Sequence, residues 1–412
     1  MNHSLGDYEP IVGHAVIRQL RTFGEKFKGL RVVHVNSTSE GGGVAEILTW
    51  MVPLMRDLGI EAEWKVVRGT PAFFSVTKAI HNGLQGKTVN LGRKDWETYA
   101  TVNAENCSEL GDSLARADIV VIHDPQPAPL LALCGNRTGK WIWRAHIDIS
   151  RPSRPVWKTL RPIVERADGS IFSMAQFAQP LPHPQFLIAP SIDPLSDKNM
   201  DLSESELEEV RAKFGLDPDR PLLVQISRFD RFKDPVGVIR AYRLVRKVLP
   251  VQLVLAGGGA TDDPEGREML DEVREAAADD PDVHVLLLPA NAHRTVNALQ
   301  RLADVIIQKS TKEGFGLTVT EGLWKGKPVI GGDVGGIQLQ VTDDYTGYLV
   351  NTPEGAAQRI RFLLHHRDRM TQMGVTAKEF VRANFLLTRH LRDYLTLMAW
   401  LLWGDGRHTM MV

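Results

Sequence analysis

Twice along these 412 residues, short runs rich in β-branched residues alternate with segments patterned as helices. That alternation limits the fold more than any other feature, because strand–helix–strand repeats build parallel sheets with helices on both faces. The first set of strand-like runs covers 31–35, 62–67, 119–123, 141–145 and 170–173, and the second covers 222–226, 252–256, 283–287, 305–308 and 327–330. Between them lies APSIDPLSDK, 189–198, whose prolines and polar residues suit a linker. A chain of this length exceeds one ordinary core. The expected class is therefore α/β, with two doubly wound, Rossmann-like domains at 1–192 and 193–385 and a closing segment at 386–412. That segment has a helical apolar pattern through Leu386, Leu387, Leu391, Tyr394, Leu395, Met398 and Leu401, which predicts a terminal helix packing back toward the N-terminal domain. Two such domains predict a cleft at the carboxyl ends of their strands, where open α/β sheets bind ligands.

Charge and cysteine content narrow the partners. Lys plus Arg at 49 nearly cancels Asp plus Glu at 50, and a net charge of −1 argues against a nucleic-acid or anionic-membrane partner. Cys107 and Cys134 are the only cysteines and lack metal-ligand spacing, so a disulfide framework is not expected and a reducing cytoplasm is the plain reading. The start, MNHSLGDYEP, lacks the basic-then-apolar pattern of a signal peptide, and the apolar run 395–403 is too short to span a bilayer. A cytoplasmic protein without a membrane span is expected.

The run KEGFGLTVTEGLWKGKPVIGGDVGGI, 312–337, places Glu313 and Glu321 on either side of a glycine turn. Gly314 and Gly316 allow close backbone approach, and the following 317–324 run reads as a helix whose first N–H groups would face a phosphate. Each carboxylate can accept two hydrogen bonds from a vicinal diol. The plainer reading is an acidic helix start with a solvated glutamate further on. After the strand at 222–226, SRFDRFKD supplies Arg228 and Lys233, two cations able to neutralise a diphosphate, although Arg228 pairing with Asp230 or Asp234 in a solvated loop is the ordinary alternative.

The first half offers three further clusters. NSTSEGGGVAEIL places Gly41, Gly42 and Gly43 ahead of a helix beginning near Val44, either an anion or sugar cradle or a simple tight turn. Its spacing is not the dinucleotide GxGxxG, which disfavours a nicotinamide cofactor. IHDPQP puts His123, Asp124 and Gln126 just past a strand, and WRAHIDIS does the same for Arg144, His146 and Asp148. Polar residues that end apolar strands are site candidates by position. The glycines of LAGGGATDDPEG, Gly257 to Gly259, read as an ordinary loop. No HExxH, P-loop lysine or Ser/His/Asp ordering is present.

Taken together, the first glycine turn, SRFDRFKD and EGFGLTVTE followed by GKPVIGGDVGGI resemble the retaining GT-B glycosyltransferases of the sucrose and glycogen synthase family, whose E-x7-E motif the two glutamates match. A narrower likeness, to the trehalose glycosyltransferring synthases, rests on HDPQP, WRAHIDIS, ATDDPEG, KEGFGLTVTE and NFLLTRHLRDYL; GGDVGG and the AGGG loop depart from it. The resemblance implies donor-diphosphate binding by Arg228 and Lys233, glucose hydroxyl contacts by Glu313 and ribose contacts by Glu321. It implies backbone contacts to sugar and phosphates from Gly314, Phe315, Gly316 and Leu317, and phosphate approach by Gly42 and Gly43. His146 would stand near the reacting centre, and Asp124, Gln126, Arg144 and Asp148 would shape the acceptor side.

The activity so implied is transfer of glucose from an NDP-glucose (ADP- or UDP-glucose) to free glucose, giving α,α-trehalose. No cofactor or metal is obligatory in that expectation, with Mg2+ at most a stimulant. Nucleotide sugar and glucose or trehalose are the expected partners, and a homodimer is compatible with the resemblance. Two other readings stay open: a trehalose phosphorylase using phosphate and glucose 1-phosphate, and a sugar-nucleotide binding protein without turnover.

Overall fold

A computed structural model describes residues 3–40, 42–258, 264–278 and 280–404, without the side chains of Pro264 and Glu265. Gly41, Gly259 and most of the ATDDPEG run, 260–263, lie outside the described residues. The chain divides into two compact units, Met1–Ser191 with Leu387–Val412, and Ile192–Leu386.

The first unit holds a six-stranded sheet of β1 (Arg31–Asn36), β2 (Glu61–Val66), β3 (Ile119–His123), β4 (Lys140–Arg144), β5 (Gly169–Phe172) and β6 (Gln185–Leu187), in the order β2-β1-β3-β4-β5-β6. The second holds β7 (Leu222–Ile226), β8 (Gln252–Gly257), β9 (Val283–Leu287), β10 (Val305–Gln308), β11 (Val329–Gly332) and β12 (Gly347–Val350), in the order β12-β11-β10-β7-β8-β9. Every pairing is parallel. Parallel strands need crossover segments, and helices covering both faces explain why β3, β7 and β10 are buried along their whole length. The two sheets and their helices confirm the α/β, doubly wound class.

Several local expectations change. β6 and β12 are edge strands that the sequence reading does not anticipate. The run beginning at Lys327 enters the sheet only at Val329, because Pro328 has no N–H to give and contributes just its carbonyl, which accepts from Ile306 N–H at 3.2 Å. Cys107 and Cys134 are joined as a disulfide, against the expectation of two separate thiols. Cys107 lies in the helix Arg93–Ala115 and Cys134 closes the short helix Leu130–Leu133; the reversal through HDPQP brings their Cα atoms to 5.6 Å, a proximity that sequence spacing cannot reveal.

In the first unit the core is built on Val120, Ile122, Trp141, Trp143 and Phe172, all without solvent exposure. The helix Leu387–Trp403 belongs to the same unit: Trp400 packs edge-on to Phe186 and Trp403 lies 5.0 Å from Phe27. Arg389 fastens its start, donating to the carbonyls of Ala189 and Pro190 at 2.8 and 3.0 Å and to Asp393 at 2.6 Å. The second core gathers Leu223, Leu253 and Ile307 from the strands with Val238, Tyr242 and Ile360 from the helices. No described helix is long and apolar enough to cross a membrane.

Candidate active site

In the second sheet β7 leads outward to β8 and β9, while its other neighbour, β10, leads to β11 and β12. The strand order reverses between β7 and β10, and open α/β sheets bind ligands beyond the carboxyl ends at such a reversal. The segment after β7 carries Arg228 and Lys233; the segment after β10 carries Glu313 and the glycine turn. Asp230 shapes the first by accepting from Phe232 N–H at 2.7 Å, and Asp234, at φ 49°, caps the helix Pro235–Arg246 by accepting from Gly237 N–H at 3.1 Å. Buried Gln225 donates to the Lys233 carbonyl at 2.8 Å, and Thr311 N–H donates to the Phe232 carbonyl at 2.8 Å, which locks the two segments together.

Lys233 and Glu313 meet there. Lys233 Nζ donates to Glu313 Oε2 at 2.5 Å, with side chains 18 % and 10 % exposed, and Ser310 Oγ donates to the same oxygen at 3.2 Å. Lys309 pairs with Asp234 beside them. Arg228 is 69 % exposed, and among the described residues it pairs with Asp230 at 3.5 Å. This is the local pairing expected of a solvated loop, and it leaves the guanidinium free to turn toward an anion.

Gly316 adopts φ 84°, ψ 68° and starts the helix Leu317–Trp324, with Val319 N–H donating to its carbonyl at 2.9 Å. Helix geometry leaves the N–H groups of Leu317 and Thr318 without intrahelical acceptors. The turn is held from beneath by Gln340, which has no solvent exposure and donates from Nε2 to the carbonyls of Phe315 at 2.6 Å and Gly336 at 3.1 Å while accepting from Thr320 Oγ1 at 2.5 Å. Gly314 accepts from Gly336 N–H at 3.2 Å, so the GGDVGGI segment braces the turn. Glu321 is 1 % exposed; its Oε2 accepts from Gln300 at 3.2 Å and its Oε1 lies 3.7 Å from Lys198. Ser310, Gln340, Gln300 and Lys198 all escape the sequence reading. Only Ser310, one of the polar residues that end β10, stands at a position that gives a signal.

The first sheet reverses between β1 and β3. Beyond β1, Gly42 takes φ 107° ahead of the helix Gly43–Asp57, a backbone shape that a side chain would strain. Beyond β3, Asp124 stands at φ 62°; its Oδ1 accepts from His146 N–H at 2.8 Å, and its own N–H donates to the Arg144 carbonyl at 2.7 Å. Burial pushes the Asp124 carboxyl up to about 7, against the opposing pull of that N–H and of the Arg144 charge. Tyr99 donates to the Pro125 carbonyl and Asn103 to the Gln126 carbonyl at 3.1 Å, so the helix Arg93–Ala115 holds the HDPQP loop. Asp148 Oδ1 accepts from Ser150 N–H at 2.9 Å and Ser150 Oγ at 2.5 Å, a local turn.

Arg144 has no solvent exposure, and none of its three guanidinium nitrogens has a hydrogen-bond partner among the described residues. It acts on its surroundings through charge. Burial lowers its own pKa, and its charge adds to burial in holding His123 and His146 well below the usual histidine range. His146 Nε2 lies 2.9 Å from His123 Nδ1, and His123 Nε2 lies 3.0 Å from His34 Nδ1. His34, in the middle of β1, carries no signal in the sequence reading.

Known proteins share this organisation. Residues 34–179 match the family described as trehalose synthase, N-terminal domain, and residues 206–380 match glycosyl transferases group 1. The chain is 46 % identical over 399 residues to a trehalose synthase of Thermococcus litoralis, covering 96 % of each. It is 28 % identical over 406 residues to a trehalose phosphorylase of Pleurotus pulmonarius, covering 86 % of this chain and 54 % of that protein. The solved structure of a UDP-forming α,α-trehalose-phosphate synthase of Burkholderia xenovorans superposes with a TM-score of 0.74 over 90 % of this chain and 99 % of that one, at 14 % identity, a likeness of fold. Matched along nearly its entire length, the chain belongs to the trehalose synthase family, and it is a trehalose-related glycosyltransferase of the GT-B fold.

Proposed function

We propose that the chain transfers glucose from ADP- or UDP-glucose to free glucose and forms α,α-trehalose with retention at the transferred carbon. The observation that carries this reading is the Lys233–Glu313 pair, set at the strand-order reversal of the second sheet beside the glycine turn and the start of the helix Leu317–Trp324. Breaking the bond from glucose C1 to the diphosphate oxygen develops negative charge on the leaving group and positive charge on the sugar. Lys233, Arg228 and the N–H groups of Leu317 and Thr318 stabilise the first, and the Glu313 carboxylate holds the sugar hydroxyls. Glu321 serves the ribose diol. The acceptor hydroxyl forms the new bond to C1 as the old one breaks, and its proton passes to the leaving phosphate oxygen, so neither an enzymic nucleophile nor an obligatory metal ion takes part.

In the first unit, Asp124, Gln126 and Asp148 serve the acceptor, Arg144 sets the local potential, and His146 orients a sugar hydroxyl. Incubating the pure protein with ADP- or UDP-glucose and glucose should release NDP and yield a non-reducing disaccharide, with its linkage read by NMR. Absence of NDP release with every glucose donor defeats the proposal. Glucose 1-phosphate formed from trehalose and phosphate without nucleotide identifies a phosphorylase, and tight NDP-glucose binding in calorimetry with zero turnover identifies a binding protein.

A further inference from the structure

β1, β3 and β4 lie side by side in the first sheet, and the register of their pairing sets three histidines on one line. His34 pairs across to Val121, and His123 stands two residues further along β3; His123 pairs across to Arg144, and His146 stands two residues beyond it. Paired residues share a face of a parallel sheet, and so do residues two apart. The three rings therefore climb one face diagonally toward the carboxyl ends of the strands, two residues per strand. Their contacts follow: His34 Nδ1 to His123 Nε2 at 3.0 Å, and His123 Nδ1 to His146 Nε2 at 2.9 Å. His34 and His123 are buried at 0 % and 2 % exposure, and only His146 reaches solvent.

The proton count on this chain has two solutions. Burial, the neighbouring rings and the Arg144 charge disfavour an added proton on His123 and His146, and burial does the same for His34. Three neutral imidazoles carry three N–H groups, and two of these fill the two ring-to-ring bonds. In one arrangement His146 donates to His123 and His123 to His34, which leaves the third N–H on His34 Nε2. That nitrogen is buried without a partner among the described residues, so the arrangement strands a buried donor. In the other, His34 donates to His123 and His123 to His146, which leaves a bare lone pair on His34 Nε2 and an N–H on His146 Nδ1. Orphaned buried donors are rarer than under-used acceptors, so the second arrangement is favoured.

We infer that His34 and His123 are positioning residues that fix the tautomer of His146, so that its Nδ1 bears a proton and donates to a ligand oxygen. The tautomer assignment stands on the fold; that the oxygen belongs to a sugar rests on the glucosyl transfer proposed above. An Nδ1–H cannot take the acceptor's proton, which leaves that proton to the departing phosphate.

Long-range 1H–15N spectra of the full chain labelled at histidine test this, with His146→Asn used to assign the signals. The expected result is a protonated Nδ1 and a bare Nε2 in His146. A protonated Nε2 overturns the inference, whatever the activity proves to be. His34→Phe, which removes the first donor, should mix the two tautomers and lower kcat roughly tenfold, the worth of one hydrogen bond, with little change in KM. His34→Asn, whose amide nitrogen takes the place of Nδ1, should restore both. An unchanged tautomer in folded His34→Phe also overturns the inference, and should that variant not fold, the spectrum of the unsubstituted protein decides. The predicted tautomer in a protein that transfers no glucose would sink the functional proposal and leave the tautomer chain standing.

Discussion

Lys233 has one task in the structure and a second in the proposed reaction, and one substitution tests both. Without ligand it neutralises Glu313, whose side chain is only 10 % exposed and has Ser310 as its other donor. At an effective dielectric constant of 20, two unit charges this close attract by about 4–6 kcal/mol, much of it offset by desolvation. Lys233→Ala leaves the carboxylate nearly buried with one neutral hydrogen bond. Breaking a fully buried pair costs about 3–5 kcal/mol, and the residual water access here places the loss at about 2–3 kcal/mol. Glu313→Gln should cost a similar amount, and Lys233→Ala combined with Glu313→Gln should cost about 1–3 kcal/mol less than the sum. Two compact units make a whole-chain melt a poor two-state reading, so the assay is native-state hydrogen exchange at 309–313, where Thr311 N–H donates to the Phe232 carbonyl. Turnover, followed as NDP release, should fall roughly a hundred- to a thousandfold in Lys233→Ala, as when comparable electrostatic donors are lost. Strictly additive exchange energies would show that the pair is not formed in solution, and near-wild-type turnover would remove Lys233 from the chemistry.

Three other perturbations probe different parts of the site. The Asp124 carboxyl, pushed up to about 7, holds its proton more tightly folded than unfolded, so its contribution to stability is fully present below about pH 4 and is lost as the pH rises to about 7; in native-state hydrogen exchange of the first unit, Asp124→Asn should gain on wild type by at most about 4 kcal/mol across that window, and a constant gap would refute the shift. Gln340→Leu removes the buried ties to Phe315, Gly336 and Thr320 and should destabilise the second unit by about 2–4 kcal/mol while raising KM for the donor, and an unaltered KM would show that the turn holds without them. Gly316→Ala forces a side chain into φ 84° with its Cβ 3.2 Å from Glu313 Cγ, costing about 1–2 kcal/mol and weakening donor binding measured by calorimetry; unchanged affinity would place the sugar away from Glu313.

What the sequence discloses and what it hides divide along physical lines. Strand interiors such as 119–123 and 222–226 are legible because both faces of a parallel strand are buried, which leaves continuous apolar runs. The candidate positions are legible for the converse reason: polar residues break those runs at their carboxyl ends. β6 is hidden because it spans three residues, two of them exposed, between Pro184 and Pro190, and β12 because it opens with Gly347 and has only four residues. The partners of the candidates are hidden more deeply. Lys233 and Glu313 meet across 80 residues only because β7 and β10 become neighbours, and His34 meets His123 across 89 because β1 and β3 do. Strand order is a property of the whole sheet, and no local pattern encodes it. The disulfide fails on the same ground, since composition speaks to a framework of many cysteines and is silent about two helices brought together by a loop.

The two glutamates invite comparison with the carboxylate pairs of retaining glycosidases, in which one carboxylate attacks the sugar directly. Their surroundings argue otherwise. An attacking carboxylate needs an open oxygen with undiminished charge, whereas Glu313 gives Oε2 to both Lys233 and Ser310, and those donors draw on the electron density that attack requires. Glu321 is 1 % exposed, inside the helix Leu317–Trp324, with Gln300 on one oxygen and Lys198 near the other. Each carboxylate thus stands between a lysine and a neutral donor, an arrangement that keeps it aimed and suits the grip of hydroxyl groups. Glu313→Gln separates the two roles. As a hydroxyl ligand the amide keeps an acceptor oxygen, so turnover should fall by about one to two orders of magnitude with the anomeric outcome unchanged. As a nucleophile the amide has no carboxylate to attack with, and turnover should vanish until azide attacks C1 in its place and displaces the diphosphate, giving a glucosyl azide of opposite configuration. Recovery of that azide would overturn the assignment of Glu313 as a hydroxyl ligand.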